Sequence, residues 1–448
     1  MKLFKFLLPL LIAVGFASPA FAQNRAHERE AQDFSRFDEE LNERDFDALR
    51  DFLYTKRTID VKEKADNLAI SGDVRTEWRH LNERRKGHVL RGGNHVDSNG
   101  IPLSRNDFDI EFNLRFDYVC DRAWAVAHIR YDNGAGVDDN GKLCCDDPEG
   151  YHGSGFCDDL CLKKAYMGYN ICCDGDTRFD VELGRRNLYH VFDSKIQFLS
   201  RFDGLLLKYS SSNECFADWY VNVAGFVVDE RVNHFAWITE IGFINICDSG
   251  FDFKYSFIDW EKHGKNRCFA QNPKGFRFLN SQWTVYYHLD PEILCVPAKV
   301  YGAFLWNAAG HKHTVGHKHT DGDEHADGDE HGHEHKRRAN LGWYVGFTVG
   351  EVVQEGDWAI DVQYQVVEAR AMPDDDMSGI GRGNVRDESF TVDGRGNTNF
   401  QGYRIEALYA LTDNLTLDTQ FEWSTAYQKS IGGSHRYSKF EIEAIYAF

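Results

Sequence analysis

The last nine residues, Phe440-Glu-Ile-Glu-Ala-Ile-Tyr-Ala-Phe448, decide the reading of this chain. Laid out as a strand, they put Phe440, Ile442, Ala444, Tyr446 and Phe448 on one face, with Lys439, Glu441 and Glu443 on the other, because successive side chains point to opposite sides. One face suits lipid and the other suits water, which is what a strand in the wall of a transmembrane barrel requires. The same period of two runs back to Leu68. Leu68, Ile70, Val74, Thr76 and Trp78 alternate with Ser71, Asp73, Arg75, Glu77 and Arg79. Phe108, Ile110, Phe112, Leu114, Phe116 and Tyr118 then alternate with Asp109, Glu111, Asn113, Arg115 and Asp117. Ionic groups at every second residue would be costly in a dry core and cost little against enclosed water. Arg75, Glu77, Asp109, Glu111, Arg115 and Asp117 are therefore expected to face a lumen.

Between these segments short and long connections alternate. Short ones fall near Cys120–Arg122, Cys172–Asp176, Ser211–Cys215, Cys247–Gly250, Asp290–Val296, Gln354–Asp357 and Thr412–Asn414. With both termini on the side of the short turns, seven of them imply about sixteen strands, an even number as bacterial barrels have. The expected fold is all-β: a transmembrane antiparallel up-and-down barrel over residues 67–448, of the size at which a barrel leaves an aqueous channel. The segments Phe202–Tyr209 and Ala236–Ile246 fit least well, because neither shows a clean charged face.

The start of the chain agrees. Residues 1–22 carry Lys2 and Lys5, an apolar run from Phe6 to Phe16, and Ala20-Phe21-Ala22 before Gln23, the layout of a cleaved signal peptide. That run is shorter than the ~20 residues a membrane-spanning helix needs. Residues 23–66 break the strand rule: Phe34, Phe37, Leu41, Leu49, Phe52 and Leu53 recur at helical spacing, which predicts a short α-helical periplasmic extension. A formal charge of −20 argues against nucleic acid as a partner and for a lumen or rim that prefers cations.

The alternation and the ending resemble bacterial outer-membrane β-barrel proteins, whose closing strand typically ends in Phe with an aromatic two residues earlier, as Tyr446 and Phe448 do. The resemblance implies insertion in the bacterial outer membrane, outer-membrane lipid as a partner, and Tyr446 and Phe448 as the signal read by the barrel assembly machinery. It also implies a diffusion porin, with a homotrimer as the analogous assembly. In general porins the third loop folds inward and sets the constriction. Here the third long connection, Asn187 to Phe202, offers Asp193, Lys195, Arg201 and Asp203, with Arg186 beside it, as constriction candidates. Charges of opposite sign facing each other across water would sort solutes by charge. The stretch from Gly184 to Tyr209 also looks like the alginate-export barrel family, over less than a tenth of the chain.

Eleven cysteines form the second signal. Cys120, Cys172, Cys173, Cys215, Cys247 and Cys295 sit at or beside short turns, facing a compartment that oxidises thiols. An odd total points to cross-links with other chains, and the pattern resembles the cysteine-rich porins of chlamydial-type bacteria, with Cys-rich envelope proteins as partners. Cys144, Cys145, Cys157 and Cys161 group in the second long loop as two local disulfides or, less fittingly outside the cell, a zinc site; Cys268 completes the set.

The segment 310–338 carries His311, His313, His317, His319, His325, His331, His333 and His335 among Asp residues. Imidazole and carboxylate suit Zn, Ni or Cu, although nothing fixes a geometry. No cofactor is required. The chain has no GxSxG, P-loop or HExxH pattern, so no enzyme is expected. The expectation is a porin passing small hydrophilic solutes and preferring cations. The rivals are a disulfide-linked envelope protein or adhesin with a closed lumen, and a dedicated metal or polysaccharide channel.

Overall fold

The computed structural model describes residues 67–85, 87–92, 105–134, 159–174, 176–213, 216–229, 234–260, 278–290, 294, 296–309, 313–315, 335–337, 339–373, 376–378, 380, 398–429 and 434–448. Sixteen long strands form the wall. They are β1 (Leu68–Arg85), β2 (Asn106–Cys120), β3 (Ala123–Gly134), β4 (Asp159–Asp174), β5 (Thr177–Asn187), β6 (Arg201–Ser211), β7 (Asp218–Asp229) and β8 (His234–Ile244). Then come β9 (Phe251–Asp259), β10 (Leu279–Leu289), β11 (Ala298–Asn307), β12 (Leu341–Glu351), β13 (Trp358–Val367), β14 (Phe400–Ala410), β15 (Leu415–Ala426) and β16 (His435–Ala447). Each pairs antiparallel with its neighbours in sequence, and β16 pairs with β1 from Asp73↔Ala447 to Arg85↔His435, closing the sheet. Closure removes the unpaired edge that an open sheet would present.

The side chains sort as the period of two requires. Val74, Trp78, Phe108, Ile110, Val345, Phe347, Ile442 and Tyr446 are exposed on the outside, while Ser71, Asp73, Asn113, Glu441 and Glu443 are buried on the inside. Outward aromatics line up across strands. Tyr255, Trp283, Phe304 and Trp343 are direct cross-strand neighbours on β9 to β12, with ring centroids 5.5 Å apart for the first pair and 6.1 Å for the second. Such rows form the aromatic girdles of membrane barrels.

All seven short turns lie at the end that carries both Leu68 and Phe448. There Gly72 and Phe448 exchange backbone hydrogen bonds at 3.0 and 2.9 Å. The expected helical extension, the signal peptide, Cys144, Cys145, Cys157, Cys215, Cys268, Cys295 and the side chains of segment 310–338 lie outside the described residues.

Candidate functional site

The third connection turns into the barrel. After β5 a short 3-10 turn, Leu188–His190, sends residues 191–200 across the inner face before β6 begins. Its contacts follow seven consecutive strands. Asn222 of β7 donates to Val191 O at 3.2 Å, and Asp193 N donates to Glu240 of β8 at 2.9 Å. Lys254 of β9 meets Asp193 Oδ2 at 2.5 Å, and the Tyr286 hydroxyl of β10 donates to the same carboxylate at 2.7 Å. Gln282 of β10 donates to Asp193 O at 2.8 Å and accepts from Ser194 Oγ at 2.8 Å. Lys195 lies 5.5 Å above the Tyr301 ring of β11, Ile196 packs beside Gly342 and Tyr344 of β12, and Gln365 of β13 donates to Lys195 O at 3.1 Å.

Two apolar clusters seat this loop. Leu188, Phe192 and Phe198 pack against inward Phe202, Leu206, Ala224, Phe226, Ala236, Ile238 and Ile258. Ile196 packs with Tyr286, Tyr301, Tyr344, Met372, Met377 and Ile380. The last three belong to the β13–β14 connection, which braces the loop from behind: the buried Asp376 carboxylate accepts from Phe198 N and Ser200 N, both at 3.1 Å, and Ser378 N donates to Ile196 O at 2.9 Å. The weak charge pattern of β6 and β8 in the sequence has its cause here, since Phe202, Leu206, Ala236 and Ile238 face a packed loop instead of water.

The loop's own charges are neutralised where they sit. Burial alone would raise the Asp193 carboxyl, but Lys254, the Tyr286 hydroxyl and Lys195 outweigh it and hold it below the usual carboxylate range. Lys195 is itself buried.

The other nine strands, β14 to β16 and β1 to β6, carry a ladder of ionic pairs on their inner face. Arg75 contacts Asp73 at 2.7 Å, Glu443 at 3.7 Å and Glu111 at 4.0 Å. Arg79 contacts Glu77 at 2.9 Å and also pairs with Asp109. Glu111 further receives Arg130 at 3.2 Å and Lys163 at 3.8 Å. Around the arc follow Arg115–Asp117 (2.7 Å), Arg178–Asp180 (2.7 Å), Lys208–Glu182 (3.7 Å) and Lys439–Glu441 (2.7 Å), together with Arg404–Glu406. Arg75, Glu77, Arg79, Asp109, Glu111, Arg130 and Glu443 border a cavity of about 90 Å³.

The sequence candidates therefore divide. Arg75, Glu77, Asp109, Glu111, Arg115 and Asp117 all lie on the inner face. Asp193 and Lys195 lie on the inward loop but beneath it, in contact with the wall. Arg186 points inward, paired with Glu182, its guanidinium 4.5 Å over the Tyr166 ring. Arg201 and Asp203 do not face the lumen. Asp203 sits opposite Arg185 and exposed Val227, on the parity of outward Leu205, and bonds Arg185 Nε at 2.7 Å. The strand starts at Arg201, earlier than the sequence suggests, and that parity turns both residues outward.

Sequence reasoning passed over Glu240, Gln282, Tyr286, Gln365 and Asp376, which hold the loop. The available signal was a run of inward amides and hydroxyls, Asn280, Gln282, Thr284 and Tyr286, where other strands carry charge. Among the described residues, Cys120, Cys161, Cys172 and Cys247 form no disulfide with one another, and Cys172, Cys173 and Cys247 are exposed at the short-turn end.

No protein-family model matches the chain, and no curated protein sequence matches it. Among solved structures, OprB of Pseudomonas putida at high pH aligns with a TM-score of 0.49 and 12% identity, over 86% of this chain and 96% of that one. Salmonella typhi OmpF in complex with daunomycin gives 0.45 and 12%, over 86% and 99%. A mutant porin of Rh. blastica gives 0.43 and 7%, over 85% and 100%. At TM-scores below 0.5 these likenesses carry no weight for function, and the barrel architecture stands on its own strand pairing.

Proposed function

We propose that this protein is a porin of the bacterial outer membrane, admitting small hydrophilic solutes by diffusion. One observation carries the reading: a closed wall of sixteen strands, apolar outside, with charged residues along nine contiguous strands inside. A wall of this size encloses more space than its own inward side chains fill, and among the described residues the third connection covers the arc from β6 to β13. Ionic ladders on the rest are stable at low cost only if water reaches them. The test is swelling of liposomes containing the refolded protein, in neutral sugars of increasing size. Entry that slows with size and does not saturate is expected. No swelling would leave the closed-lumen envelope protein, and entry of a single saturating solute would leave the dedicated channel.

The His-rich segment supports a second property, reversible metal binding at the outer mouth. Two short segments within it, His313–Val315 and His335–Arg337, pair antiparallel, and the sequence between them is rich in imidazole and carboxylate. Zn²⁺ titration with and without residues 311–335 should show uptake only by the intact chain, and equal uptake would dispose of the idea.

A further inference from the structure

In a barrel with an inward third loop, the natural place to seek charge selection is that loop. This molecule puts its loop charges out of reach. Asp193 is tied to Lys254 at 2.5 Å, to the Tyr286 hydroxyl and, through its backbone N–H, to Glu240; Lys195 is buried over Tyr301. Two carboxylates and two ammonium groups, Asp193, Glu240, Lys195 and Lys254, make a quartet with no net formal charge beneath the loop.

On the uncovered arc the situation is reversed. Going up β1, the inward residues Asp73, Arg75, Glu77 and Arg79 alternate in sign, and the side chains of Arg79, Glu77 and Asp109 keep 32%, 21% and 18% exposure. Across the strands the signs do not alternate. Asp109 stands directly opposite Glu77, Glu77 opposite Glu443, and Glu443 opposite Asp418. Like charges directly opposite are destabilising in a sheet, and Arg75 and Arg79, one step to either side, offset them through the contacts with Glu443, Glu77 and Asp109. Around the cavity these strands border, three arginines meet four carboxylates.

We propose that this ladder-bearing arc, with Glu77, Asp109 and Arg79 as its selectivity-determining residues, sets the charge preference of the channel, and that the inward loop contributes shape alone. The inference rests on the porin reading. Ions crossing the barrel pass along the arc, where the carboxylate row attracts cations and the two arginines limit that attraction. Neutralising one water-facing charge about 5 Å from the ion path, with screening over a Debye length of ~10 Å, should change the cation-to-anion permeability ratio about twofold.

The test is the reversal potential of the refolded full-length protein in a planar bilayer under a KCl gradient. Glu77→Gln and Asp109→Asn should each lower the cation-to-anion ratio about twofold, and Arg79→Gln should raise it by a similar factor. Asp203→Asn, on the outward face, should leave it unchanged. Shifts of opposite sign from Glu77→Gln and Arg79→Gln cannot come from a loss of folding, which would remove current in both. Unaltered ratios in all the ladder variants, or a larger shift from Asp193→Asn than from Glu77→Gln, would overturn the inference while leaving the porin reading intact. No conductance from the native chain would overturn both.

Discussion

Phe448 and Gly72 meet where the first and last strands join. A methyl group on Gly72 would lie 2.6 Å from Asn113 O and 2.7 Å from the Phe448 ring, both closer than van der Waals contact allows. Gly72→Ala should therefore weaken the seam and lower the yield of folded barrel, seen as loss of the compact, heat-modifiable band on a gel; an unchanged band would show that the seam tolerates the atom. Asp193 offers a second residue-scale test. Its carboxyl is held below the ordinary range, so its ion pair contributes stability above the unfolded value of ~3.9 and is lost only as pH falls through the lower, folded value. Single-channel current should lose its steadiness in strong acid and not between pH 7 and 5 on account of this pair. At this scale the sequence was legible where a residue obeys the dyad parity, as Glu77 and Asp109 do. It was illegible where parity depends on the strand's starting point, which turned Arg201 and Asp203 outward.

Strands β6 and β8 show why elements are harder to read than the whole. Their inward residues Phe202, Leu206, Ala236 and Ile238 look wrong for a wet lumen, because the sequence cannot show that residues 188–200 fold back over them. The anchors come from far along the chain: Gln282, Gln365 and Asp376 lie between 85 and 178 residues from their partners. Short-range spacing carries no trace of such contacts. The loop is also separable from the wall, whose ladder hydrogen bonds it does not join. Replacing residues 189–199 by a short Gly-Ser turn should leave a folded barrel of larger conductance, and failure to fold would show that the apolar clusters are needed to close it. Removing one brace should act in the same direction but less strongly. Asp376→Asn leaves the loop contacts of Glu240, Lys254 and Gln282 in place, so only a modest rise in current noise is expected from single-channel records.

For the whole molecule, the repeated alternation was enough to give the strand number, the closure and the inside–outside sense, because each of those follows from a period of two and a count of turns. What it could not give was how much of the interior is filled, which depends on the loops. The outside carries its own test. Trp78, Trp237, Trp306, Trp343 and Trp358 are all exposed on the outer face. In vesicles, tryptophan fluorescence should be quenched strongly by brominated acyl chains and weakly by aqueous iodide; the reverse order would place the outer face in water. Phe347→Lys, in the middle of β12, should cost ~2–4 kcal/mol in unfolding from a bilayer, because it sets a charge against hydrocarbon.

The central claim is an enclosed waterway, and single-channel conductance of the refolded native chain in a planar bilayer tests it most directly. Discrete, steady, ohmic steps are expected, since the inner wall left uncovered by the third connection carries charged side chains such as Glu77, Arg79 and Asp109. A correctly folded barrel that inserts and passes no steady current would contradict it.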